Sequence, residues 1–235
     1  MYQDNLLNFD TEKQSWVGDL ASIRNMQVAD NVAELMAQKI YALSSGIQAL
    51  LKIAAAIGNT FDLQTVWRVH NTEQFPFSAK TSTERMKQLQ NTGLSSVALL
   101  LWEAVQAELI LMKQTPYAFD MHEGMHIDEN TNIIYAFQHD RIQQAAYEMI
   151  SETERPKLHL HIGRILLQST SERSLPDNII SIAYHLNYGI DIIKTPQEKE
   201  ELAQFNLLAA KKAKDSSAYI PALQYCLNGI RLYPR

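Results

Sequence analysis

His122-Glu123-Gly124-Met125-His126 matches the spacing H-E-x-x-H. On a helix, residues i and i+4 share a face, so two such imidazoles can hold one zinc ion while the glutamate polarises a metal-bound water. Glu148 is a conceivable third ligand, and the chemistry would be that of a zinc-dependent hydrolase. The surroundings oppose a helix here. Pro116 lies upstream, Gly124 interrupts the motif, and Asp128-Glu129-Asn130-Thr131-Asn132 follows at once. No apolar helical face flanks His122 or His126.

His139-Asp140 is the second candidate. It stands where a polar and aromatic run gives way to helical periodicity, in Phe137-Gln138-His139-Asp140-Arg141-Ile142. A carboxylate in a first helical turn is stabilised by the helix dipole, by about 0.3–1 kcal/mol. The same helix end attracts phosphate and keeps a histidine neutral, so His139 could donate to a phosphate oxygen brought by another module. His159 and His161 are two apart and diverge on a helix, so they cannot share a metal. His185 reads as a lone helical histidine in a packing or capping role. No G-x-x-x-x-G-K-[ST] loop occurs, and no Ser-His-Asp or Cys-His arrangement can be argued from spacing. No catalytic residue is therefore assigned.

What must position these residues is mainly helix. The chain has 235 residues, 46% apolar and 20% charged, with only 8 Gly and 7 Pro. That is enough for one large domain or two small ones with a buried core. A net charge of -5 opposes nonspecific binding to nucleic acid or an anionic membrane. Cys226 stands alone, which excludes an internal disulfide and fits a reducing cytoplasm. The most apolar window, Val97 to Met112, is broken by Glu103, Gln106 and Glu108 and is too short to span a bilayer.

In order, residues 1–27 read as a hairpin and linker, with strands at Leu6–Asp10 and Ser15–Leu20. Phe9 and Trp16 need a cover, from the following domain or from an N-terminal neighbour. Residues 28–150 give three helices and then a helix with a strand pair. The first is capped by Asp30 or Asn31 and runs to Leu43; the second covers Ile47–Ile57; the third runs from Asp62 to His70. Asn71 to Thr92, with Phe75-Pro76-Phe77, is an irregular insert. A helix from Ser95 or Ser96 to Glu108 precedes strands at Leu109–Met112 and Asn132–Phe137. This is the order of a winged-helix domain with a small β wing. The helix from Ser95 occupies the position that reads DNA in many such proteins, yet it carries no Lys or Arg, which disfavours a DNA-binding regulator.

Residues 151–235 read as antiparallel helical repeats: Glu154–Gln168, Asp177–Ile193, Pro196–Lys214 and Ala218–Tyr233, after a helix at Asp140–Ile150. With Ala203 as position one of a tetratricopeptide (TPR)-like unit, Ala210, Ala222 and Gly229 fall at eight, twenty and twenty-seven, and Pro234 at thirty-two. The last helix carries Leu223, Leu227, Ile230 and Leu232, more apolar surface than one neighbour covers, so the array is expected to continue.

Asn31-Val32-Ala33-Glu34-Leu35-Met36, Leu51-Lys52-Ile53-Ala54-Ala55 with Ile57-Gly58-Asn59-Thr60-Phe61-Asp62-Leu63, Leu101-Trp102-Glu103-Ala104, Phe137 to Tyr147 and His159-Leu160-His161-Ile162-Gly163-Arg164 form one pattern. In it the chain resembles the region after the nucleotide-binding module of large bacterial hybrid sensor histidine kinases and Ser/Thr kinases that contain an AAA/STAND-type signal-transduction ATPase. In related ATPases a Met-His-Asp motif closes the winged helix, and its histidine contacts ADP. Phe137-Gln138-His139-Asp140 is similar, with Gln in place of Met. The resemblance implies a cytoplasmic, non-catalytic regulatory module without a cofactor of its own. His139 would contact ADP held by the neighbouring ATPase module, and the repeats would bind a protein partner. ATPase and kinase domains of the same polypeptide would be its partners, with no nucleic acid and no membrane.

Overall fold

The computed structural model describes residues 7–10, 15–18, 28–72, 93–114 and 133–233. The His122/His126 motif and residues 73–92 of the insert lie outside them. The fold is mainly helical, with two small antiparallel sheets.

β1 (Leu7–Asp10) and β2 (Ser15–Gly18) form the expected hairpin, with Phe9 directly opposite Trp16. α1 (Val28–Tyr41) begins before Asp30 and Asn31, so neither is its cap. α2 (Ser45–Ile57) follows; Ile47, Leu50, Leu51, Ile53 and Ala54 are buried along it, because it is apolar nearly all round. It stops at Gly58, whose φ of 151° is a conformation L side chains rarely adopt.

A strand absent from the sequence-based reading comes next, β3 (Thr60–Asp62). Three residues are too few for a visible period-2 pattern. Asp62 ends this strand and caps α3 (Leu63–Asn71), its Oδ1 accepting from the Thr65 N–H at 2.8 Å. α4 (Leu94–Gln106) is capped by Gly93, with Ser95 and Ser96 already inside the first turn. Glu108, at φ 58°, turns the chain into β4 (Ile110–Gln114), which pairs with β5 (Ile134–Phe137) through an irregularity between Met112 and Gln114.

The sheet order is β3-β5-β4, all antiparallel. Phe61 lies directly opposite Tyr135 and stacks on it at 5.7 Å, and Phe61 also meets Phe137 at 5.5 Å. Cross-strand aromatic pairs of this kind hold so short a strand in register.

α5 (Asp140–Glu148), α6 (Arg155–Ser169), α7 (Leu175–Tyr188), α8 (Pro196–Asp215) and α9 (Tyr219–Leu232) complete the described chain. α7 ends five residues earlier than expected. Gly189 caps it and a single 3-10 turn, Ile190–Ile192, follows. Proline stands in the first turn of α6, α7 and α8, where its missing N–H costs nothing.

The main core joins α1 to α5 and the sheet, and continues into α6 through Leu158 and Ile162. α6 thus packs on α2 and α3 with one face and on α7 with the other. Ala203, Ala210 and Ala222 are buried, and a Cβ on Gly229 would lie 3.4 Å from Asn206 Cβ, so α8 and α9 approach closely. The outer face of α9 is open: Ile220 is 85% exposed and Ile230 71%.

Candidate functional site

Titratable groups come together where α5, α6 and α7 meet. α5 contributes Tyr147, α6 contributes His159, and α7 contributes Tyr184, His185 and Tyr188. The Tyr147 hydroxyl donates to the Tyr188 hydroxyl at 3.2 Å. Its oxygen must then accept from His159 Nε2, 3.0 Å away, so His159 carries its proton on Nε2. Nδ1 of His159 is left as an acceptor, and His185 Nδ1–H donates to it at 2.9 Å. One hydrogen-bond direction thus runs from His185 through His159 and Tyr147 to Tyr188. The rings pack accordingly. His159 stacks on Tyr188 at 4.1 Å and meets Tyr147 and Tyr184 edge-on, each at 5.8 Å.

Both imidazoles are neutral at physiological pH. Burial, reinforced by the Arg155 charge, pushes His159 down to about 4. Burial and then the neighbouring His159 push His185 down to about 3. Burial and the bond to Tyr188 push the Tyr147 phenol up. Arg155 stands over the Tyr147 ring, 4.8 Å from its centroid, and donates to the Ile150 carbonyl at 3.1 Å. Neutral imidazoles so far below their ordinary value are weak bases.

A cleft of about 510 Å³ opens beside this cluster. Its walls are the end of α2 (Ala55, Ala56, Ile57 and Gly58), the α5 residues Asp140, Gln143, Gln144 and Tyr147, and His159 with Tyr184. Gln143 ties two walls together by donating to the Ala55 carbonyl at 3.1 Å.

His139 is exposed and is the N-cap residue of α5, extended at φ -145° and ψ 146°, with no cap bond from its side chain. It follows the central strand β5 by one residue, Gln138. Asp140 lies in the first turn of α5, as the dipole argument expects. Glu148 is exposed and accepts from Gln144 Nε2 at 2.9 Å. His159 and His161 do diverge: the first faces α7, the second bonds the backbone of Val69 on α3. Burial lowers the pKa of His161, opposed by that backbone bond. Among the described residues, no three His, Cys, Asp or Glu side chains gather as a metal site.

His185 is not a lone packing residue, because its partner His159 is 26 positions away. Its sequence signal was Tyr184-His185 with Tyr188 one turn on, a polar aromatic patch in the second half of the helix. Nothing local could name the residue opposite.

No family model matches the chain, and no solved structure matches it. It is similar to the hybrid signal transduction histidine kinase G of Dictyostelium discoideum, 28% identical over 260 residues, covering 96% of this chain. The chain spans 7% of that protein's length. The likeness connects the chain, over most of its length, to a signal-transduction kinase. No described helix is long and apolar enough to cross a membrane.

Proposed function

We propose that this chain is a non-catalytic regulatory and protein-interaction module of a larger cytoplasmic signal-transduction kinase. In this reading residues 28–150 are a winged-helix domain that latches a nucleotide-binding ATPase module elsewhere in the polypeptide. Residues 151–235 are TPR-like repeats that sense a protein partner.

The observation that carries the reading is His139. It is exposed at the N-terminus of α5, just beyond the central strand of the sheet, where a helix end favours a phosphate and an imidazole N–H can donate to it. The winged-helix assignment is supported by the element order α2, β3, α3, α4, β4, β5 and the sheet order β3-β5-β4. The repeat assignment is supported by the small residues Ala203, Ala210, Ala222 and Gly229 where α8 and α9 approach. The likeness to a histidine kinase supports the signalling context. α4 presents Leu99, Glu103 and Gln106 to solvent and contains no Lys or Arg, which disfavours the DNA-binding alternative. The zinc-hydrolase motif falls outside the described residues.

A latch works only if the nucleotide favours the closed state over the open one. His139→Ala in the full-length protein is expected to speed ADP release and raise basal output, while the isolated chain binds no nucleotide measurably. Unchanged ADP retention in the variant removes the latch.

A further inference from the structure

We propose that the cleft between α2, α5, α6 and α7 binds the guanidinium of an arginine side chain presented by a partner protein. The proposal does not depend on the nucleotide latch. Three features of the cleft favour a cation, and they come from different elements.

The first is the end of α2. Gly58 N–H is the last donor inside the helix, bonding the Ala54 carbonyl, and the Ala55 carbonyl is taken by Gln143. Ala56 and Ile57 line the cleft at this helix end, past the last carbonyl that Gly58 satisfies. A helix C-terminus carries the equivalent of roughly half a negative charge. The second is Asp140, whose carboxylate is the single formal charge among the lining residues. No Lys or Arg is among them: Arg155 is held by the Tyr147 ring and the Ile150 carbonyl, and Arg141 bonds Gln144 Oε1 at 3.1 Å. The third is the aromatic wall of Tyr147, Tyr184 and His159. Aromatic faces attract cations, and a planar guanidinium stacks on them better than an ammonium does. His159 does not oppose a cation, because its hydrogen bonds and burial keep it neutral.

Among the lining residues Tyr184 is 51% exposed and Asp140 and Gln144 are exposed, so a side chain can reach the cleft from solvent. Gln143, whose Nε2 is engaged by the Ala55 carbonyl, adds an amide oxygen that can accept from a guanidinium edge.

The test uses the whole 235-residue chain, isotope-labelled, with N-acetyl-arginine amide as the probe and N-acetyl-citrulline amide as its neutral isostere. Saturable shifts of the Gly58, Gln143 and Tyr184 amide resonances are expected with arginine and not with citrulline. Asp140→Asn should weaken the arginine probe about fivefold, and Tyr184→Ala should weaken it by a similar factor. Both substitutions are at exposed positions, and spectra without probe report whether the fold is kept. Non-saturable shifts, equal binding of citrulline, or an Asp140→Asn variant that binds arginine like the parent would each overturn the proposal. A lysine amide that binds as tightly as arginine would overturn the assignment to a guanidinium.

Discussion

The half of the molecule built on α2 and the half built on α6 to α9 are held together by different means. Around α2 the contacts are almost all apolar: Ile47, Leu50, Leu51, Val97, Leu101 and Tyr135 are buried in one continuous core. From α6 onward the apolar clusters are small, one of them only Ile179, Ala183 and Ala209 with partly buried neighbours. There, directional polar contacts join one helix to another. His159 meets His185, Asn187 and Asn206 exchange two bonds at 2.8 and 2.9 Å, and Arg164 grips Glu198 with two more. Apolar packing tolerates small slides of one helix along another, whereas a hydrogen bond does not. The second half therefore adds to its small apolar clusters polar pairs that constrain helix register.

The contrast breaks most visibly in the first half. Leu50→Ala removes a fully buried side chain from the centre of α2 and leaves a cavity, with an expected loss of about 2–5 kcal/mol. Chemical denaturation measures it; a loss under 1 kcal/mol would mean that the core can collapse around the gap.

Acid should strike the second half first. His159 and His185 titrate near 4 and 3 when folded and near 6.5 when unfolded. Burial therefore favours folding fully only above about 6.5, where both states leave the rings neutral. Below that the unfolded chain binds more protons, so stability falls with pH, by roughly 3 kcal/mol for His159 and roughly 4 kcal/mol for His185 once pH reaches the folded value of each. Denaturation midpoints between pH 7 and 4.5 show the decline before most carboxylates protonate, and His159→Phe should flatten it. A pH-independent midpoint over that window contradicts the neutral, buried pair.

The same contrast explains how much could be read in advance. α2 was legible because its apolar residues recur with helical spacing and Gly58 closes it; Asp62 announced α3. β3 escaped because three residues carry no period and its pairing partner, β5, lies more than seventy positions away. His139 was legible as a position, at a junction of two compositions, because that signal is local. The His159–His185 pair was not, because its two members look like ordinary helical polar residues until the packing of α6 on α7 brings them together. Polar register contacts between helices leave little trace in either helix alone.

A smaller effect probes the close approach that permits this pairing. A Cβ on Gly163 would meet Leu186 Cδ2 at 2.8 Å and the Leu186 backbone nitrogen at 3.0 Å. A backbone atom cannot swing aside, so Gly163→Ala must push α6 from α7, at about 1–3 kcal/mol. Gly163 is one turn from His159 and Leu186 adjoins His185, so the Nδ1···Nδ1 bond should lengthen too. Imidazole ¹⁵N shifts unchanged in a destabilised variant would show that the two features are independent.

The smallest effect separates polar contacts that set register from those that merely occur. Arg231 reaches Asp191 at 2.6 Å, but both side chains are mostly in solvent, 61% and 75% exposed. Such a pair gives up side-chain entropy and is screened by salt, so Arg231→Ala should change stability by less than about 0.5 kcal/mol. Arg164 and Glu198 are less exposed and joined by two parallel bonds, at 2.7 and 3.0 Å. Their fork geometry fixes orientation as well as distance, so Arg164→Ala should cost more, about 1 kcal/mol, and less of that cost should vanish at high salt. Equal, fully screened effects from the two variants would mean that the α6–α8 contact is held by Leu160 and Leu202 packing, with its polar pair as ornament.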